Sequence, residues 1–214
     1  MLRYLESVYV KYKGKPYYVH YYPILKKLPS RLQLFLDENV FYKILDKRQK
    51  KYFAHRAANF IENTRFVGRD GLVVDDFMRM QVTIMVTQLT FGMRHYQLEY
   101  LRTIILYPSS FYSILNKTEN LGEFNPRSKV LALSWKHFQK GNLHQDKGKS
   151  LGIHEITHVI HYNSIKNNDI SSEIFYDTFL LLEKHLGSVA LRKKIVDTKI
   201  LREYAYTDKF EFIA

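Results

Sequence analysis

The segment LGIHEITHVIHY, residues 151–162, has little choice of conformation. Leu151, Ile153, Ile156, Val159 and Ile160 recur at the three- and four-residue intervals of an α-helix and wrap most of its circumference. Such a helix belongs against other apolar elements, not on a surface. Among these positions stand His154, Glu155 and His158, in the pattern H-E-x-x-H. Residues i and i+4 lie one turn apart on one helix face, so the two imidazoles project side by side from a buried element. With this content of His and Glu, a chance match is expected about 0.02 times per chain.

Two imidazoles so spaced can grip one zinc ion at about 2.0–2.1 Å each. Glu155 lies roughly 100° round the helix from His154, near an ion held there but outside direct ligation. It is placed to accept a proton from water and pass it to the leaving amine of a peptide bond. His154 and His158 are therefore the expected metal ligands, and Glu155 the expected general base. A catalytic zinc also needs a third protein ligand and an open position. Four residues compete for that role, His161, Glu173, Asp177 and Glu211. His161 extends the motif, yet three ligands from one helix would crowd one ion, and a supporting or helix-end histidine is the simpler reading. Glu173 follows His158 by fifteen residues, near Asp177 on the next expected helix. A glutamate in a first helical turn is also favoured simply by the helix dipole. Glu211 is not selected by spacing alone. A metzincin pattern needs Gly at 161 and His at 164, where this chain has His161 and Ser164.

Cysteine is absent, which excludes disulfides, thiol catalysis and cysteine-ligated zinc or iron–sulfur sites. At 214 residues the chain can bury one large core or two small ones. A net charge of +12 can attract nucleic acid, anionic lipid or an acidic partner. No run of about 18 apolar residues exists, so no transmembrane segment is expected. Charges interrupt MLRYLESVYVKYKGK where a secretion signal needs an apolar stretch, which makes the cytoplasm the expected location. No phosphate loop, dinucleotide fingerprint or G-x-S-x-G elbow appears.

VYVKYKGKPYYVHYY alternates β-branched and aromatic residues around Gly14-Lys15-Pro16, which predicts a hairpin inside an N-terminal extension over 1–28. Lysines interleaved with aromatics also suit single-stranded nucleic acid. No RRM or KH signature accompanies them, so a solvated hairpin is the preferred reading and nucleic acid is not an expected partner. Ser30 is the expected N-cap of one or two helices within RLQLFLDENVFYKILDKRQKKYFAHRAANFIE. A short strand follows in TRFVGRDGLVV. Asp75 or Asp76 should cap the apolar helix DFMRMQVTIMVTQLTFG. TIILYPSSFYSIL reads as a strand broken at Pro108, VLALSW as a strand, and HFQKGNLHQDKGKS as a polar loop. After the histidine helix, another should start at Asp169 or Ser171 and end at Gly187. Helices, then strands, then helices, with no regular β-α-β alternation, give an α+β class.

Taken together, ILYPSSFY, ALSWKHFQKG, DKGKSLGIHEITH and YAYTDKFEFIA resemble the MtfA family of zinc metallopeptidases, and the likeness covers most of the chain. The resemblance implies one zinc ion held by His154, His158 and Glu211, with Glu155 as base. It implies that Tyr204, with Tyr206 a nearby rival, donates a hydrogen bond to the developing oxyanion. It further implies a zincin-like catalytic domain over 29–214, with a mixed sheet whose edge strand can pair with an extended peptide. VLALSW is the natural candidate for that edge, with Trp135 packing in the core. The implied substrate is a peptide or protein, and aminopeptidase-like cleavage is among the modes the resemblance implies. The family includes an anti-repressor that captures a transcriptional regulator of sugar uptake. A regulatory binding protein that captures a transcriptional repressor is accordingly the alternative reading.

Overall fold

The computed structural model describes residues 2–114, 116–143, 150–186 and 197. The chain opens with helix α1 (Leu2–Lys13), which ends at Gly14, where φ is +65°. The hairpin expected over Val8–Tyr22 is not formed. On a helix, Val10 and the residues one turn before it share a face. Val10 is 3% exposed, Ser7 donates to Glu173 at 2.5 Å, and Glu6 receives Arg94 at 2.9 Å. Those three inward contacts outweigh a short β-like alternation.

Helices α2 (Ser30–Glu38), α3 (Val40–Ile44) and α4 (Lys47–Asn63) follow. Ser30 is the first helical residue, not the cap. Pro29 precedes it, and its carbonyl accepts from Leu32 N–H at 2.8 Å. Asp46 and Gln49 form a reciprocal capping box at the start of α4. Strand β1 (Arg65–Gly68) leads to helix α5 (Asp76–Leu89), capped by Asp75, whose side chain accepts from Met78 N–H at 2.8 Å. Next come β2 (Thr103–Tyr107), β3 (Phe111–Ser113), β4 (Thr118–Asn120), β5 (Gly122–Asn125) and β6 (Val130–Ser134). Helices α6 (Trp135–Leu143), α7 (Leu151–Lys166) and α8 (Ile170–Leu186) complete the described elements.

The main sheet is mixed, in the order β1-β2-β6-β5. The first three strands are parallel and β5 runs antiparallel to β6, with Gly122 opposite Leu133 and Asn125 opposite Val130. This is an α+β molecule with a mixed sheet. β3 and β4 form a separate antiparallel pair.

Two sequence expectations need correction. VLALSW does not supply the sheet edge: β6 is paired on both sides, and Leu131 and Leu133 are fully buried. Among the described residues the sheet's edges are β1 and β5, and the GEFN sequence of β5 is half-buried throughout and lacks the apolar alternation that marks a strand. HFQKGNLHQDKGKS is not all loop. Its first part continues α6, because Trp135 and Phe138 sit at i and i+3, stack at 5.5 Å and are both buried. Trp135 is thus a packing residue.

One apolar core joins Ile104, Leu106, Leu131 and Leu133 of the sheet to Val82 and Val86 of α5, Phe138 of α6, and Ile156 and Val159 of α7. A second lies among α2–α5, around Leu36, Phe53 and Met80. The first of these cores packs α7 against β5, β6, α5 and α6.

Candidate metal centre

Helix α7 begins where Ser150 accepts from Ile153 N–H at 3.3 Å. Gly152, in its first turn, lies so close to α5 and α6 that a Cβ there would meet Met85 Sδ and sit 2.5 Å from Phe138 Cε2. The absent side chain lets the start of α7 seat deeply. From that anchor, Ile156 and Val159 are fully buried, whereas His154 and His158 are half-buried on the remaining face.

The two histidines converge. Nε2 of His154 and Nε2 of His158 are 3.2 Å apart, with the rings nearly perpendicular at 87°. Two nitrogen ligands at 2.0–2.1 Å from one tetrahedral ion lie about 3.3 Å apart. The observed separation fits that requirement, and two neutral imidazoles are the usual donors for such an ion. Glu155, 7% exposed, lies against the edge strand β5. A Cβ on Gly122 would lie 2.6 Å from both Cγ and Cδ of Glu155 and nearer still to Oε1. The carboxylate therefore fills the space that a side chain at the first residue of β5 would take. No residue pattern in the sequence pointed to Gly122; only the pairing of β5 beside α7 reveals it.

The other ligand candidates fare differently. His161 is 3% exposed and its ring packs on Phe179 at 4.6 Å and on Phe175 at 6.0 Å, both on α8. Glu173 accepts from Ser7 of α1. Glu211, Tyr204 and Tyr206 lie outside the described residues. Among the described residues no group of three or more His, Asp or Glu side chains gathers where one ion could be held. The pair His154–His158 is thus a candidate for two of an ion's donors.

Ser134 Oγ lies 2.8 Å from His137 Nδ1, but Ser134 is fully buried, out of reach of a substrate. A polar cleft of about 460 Å³ lined by Arg94, His95, Glu99 and Asp169 sits at the far end of α7, away from His154. No helix among the described residues is long and apolar enough to cross a membrane.

No curated protein matches the chain. The family model described as glucose-regulated metallo-peptidase M90 matches residues 23–214, which include the whole of α7 and β5. With most of its length covered by that match, the chain belongs to the M90 family of metallopeptidases, the MtfA family.

Proposed function

We propose that the protein is a zinc-dependent peptidase of the zincin type, with one zinc ion held by His154, His158 and Glu211. When bound, zinc supplies Lewis-acid polarisation of a carbonyl and lowers the pKa of a coordinated water toward neutrality. Glu155 is the general base: its carboxylate receives the proton of the attacking water and delivers it to the nitrogen of the departing amine. Burial beside Gly122 keeps that carboxylate from wandering and limits competing water. Tyr204 donates its phenolic hydrogen to the oxygen on which charge develops. The substrate is an extended peptide or protein segment.

The observation that carries this reading is the 3.2 Å separation of the two Nε2 atoms on one face of a helix that buries Ile156, Val159 and Ile160 in the core. Its test combines metal analysis of the purified protein with peptide hydrolysis by wild type and Glu155→Gln. The expected result is about one zinc per chain in both proteins. Turnover should fall by roughly 10²–10⁴-fold in the variant, the usual contribution of a positioned base. Zinc-free protein, or an unchanged rate in the variant, overturns the assignment. Zinc without turnover in the wild type favours the regulatory binding role instead.

A further inference from the structure

The outward face of α1 is built the wrong way round for a solvated helix. Tyr4, Leu5, Val8 and Tyr12 fall within an arc of about 100°. They are 73%, 52%, 52% and 87% exposed. Val10, on the opposite side, is buried, and the one acidic residue of the first 36, Glu6, is turned inward onto Arg94. A surface helix ordinarily shows water its polar face. Exposed apolar side chains continue after the helix. Tyr17 packs on Tyr9 with ring centroids 4.2 Å apart and planes tilted by 32°, and Tyr21 and Ile24, later in the chain, stand 72% and 85% exposed. Exposed lysines at 11, 13 and 15 border this strip.

We propose that this strip is a docking surface for an anionic lipid bilayer, on which the protein lies without spanning it. Three features of the strip select that occupant. Aliphatic side chains among tyrosines, flanked by lysines that can reach headgroup phosphates, are the composition of an interfacial helix. A second copy of the chain is disfavoured, because a two-fold contact through this face would bring two basic strips together while Glu6, the acidic residue of the segment, is engaged by Arg94 of its own chain. Single-stranded nucleic acid would need a basic groove that tracks a backbone, whereas the arc is the convex side of a helix. The family match begins at residue 23, so α1 lies before the matched region, and the proposal does not rest on the peptidase reading.

The test is co-sedimentation with phosphatidylcholine vesicles, with and without about a third phosphatidylglycerol. Two variants accompany the wild type. In one, Tyr4→Ser, Leu5→Ser, Val8→Ser and Tyr12→Ser are combined; in the other, Lys11→Glu, Lys13→Glu and Lys15→Glu. The wild type should bind the anionic vesicles, bind neutral ones far less, and release as salt rises to about 0.5 M. The lysine variant should bind roughly 10²-fold more weakly, and the apolar variant should lose binding at any salt. Both sets of side chains are exposed, so circular dichroism should be unchanged and rule out misfolding. Equal binding to both vesicle types, or full binding by either variant, overturns the proposal. So does a dimer of the wild type that the apolar variant abolishes, or tighter binding to a single-stranded oligonucleotide than to the vesicles.

Discussion

The carboxylate of Glu155 occupies the side-chain space of Gly122. The two residues come from different elements, α7 and the sheet edge β5, and meet because α7 packs directly against that strand. A methyl group at position 122 would lie 2.6 Å from Glu155 Cγ, far inside normal contact. Glu155 is the softer partner, since the β5 backbone is held in register with β6.

Gly122→Ala should therefore displace the carboxylate and leave the fold standing. A misplacement of about 1 Å in a reacting group costs on the order of 10² in rate. The expected outcome is a kcat lowered by about that factor with zinc content and circular dichroism unchanged. Steady-state kinetics beside metal analysis checks it. Wild-type kcat in Gly122→Ala would mean that Glu155 has room to spare.

At Gly152 the neighbours cannot yield so cheaply. Phe138 is fully buried and stacked on Trp135, so an added methyl group 2.5 Å from its ring must move α6 or α7. Overpacking of this kind costs about 1–3 kcal/mol. Gly152→Ala should lower the urea midpoint accordingly and, by shifting the helix that carries both histidines, weaken zinc retention against a chelator. Unfolding curves with a chelator titration measure both effects.

Much of this architecture is legible in the sequence, for reasons that also explain what is not. α7 and the parallel strands read correctly because their apolar residues are numerous and evenly spaced. Asp75 announces α5 by its own cap chemistry. β5 escapes notice because an edge strand, half-buried on every residue, has no hydrophobic period to display. α1 misleads because its exposed face is apolar, so that an alternation of Val and Tyr looks like a strand until Val10, Ser7 and Glu6 are seen to face inward. His154 and His158 are found by spacing, whereas the Gly122–Glu155 contact is a property of tertiary packing.

Acid should loosen the N-terminal segment before it unfolds the rest. Arg56 is 1% exposed, donates to Tyr22 Oη at 2.6 Å and to the carbonyls of Thr90 and Met93 at 2.7 Å, and lies 3.1 Å from His20 Nδ1. Burial first, then the nearby charges of Arg56 and Arg48, push His20 from 6.5 down to about 4. His55, whose Nδ1 accepts from Lys26 N–H, is also pushed below its ordinary value, mainly by burial. A histidine held neutral in the fold and protonated in the unfolded chain makes stability fall as pH drops through 6.5 toward 4. Glu6 acts lower down: its hydrogen bond to Arg94 depresses its pKa, so its contribution is present above 4.5 and is lost below that value. Between pH 6.5 and 4.5 the urea midpoint should therefore decline in the wild type. It should decline less in His20→Gln, which keeps an acceptor for Arg56 without a titrating ring. Equal slopes for the two proteins would show that His20 carries none of the effect.

The third metal ligand is best decided by removing each candidate in turn and counting zinc. His161 is engaged with Phe175 and Phe179, so His161→Phe should keep the interface between α7 and α8 and leave zinc content unchanged. Glu173→Gln should also leave it unchanged, because an amide oxygen can still accept from Ser7. Glu211→Ala should lose most of its zinc, since two imidazoles alone hold the ion far more weakly than a completed three-ligand set. Metal analysis after dialysis against a weak chelator reads all three. Retention of zinc by Glu211→Ala together with its loss from Glu173→Gln would transfer the ligand to α8. That outcome would also require Glu173 to leave Ser7, and a rise in hydrogen exchange along α1 on adding zinc would reveal it.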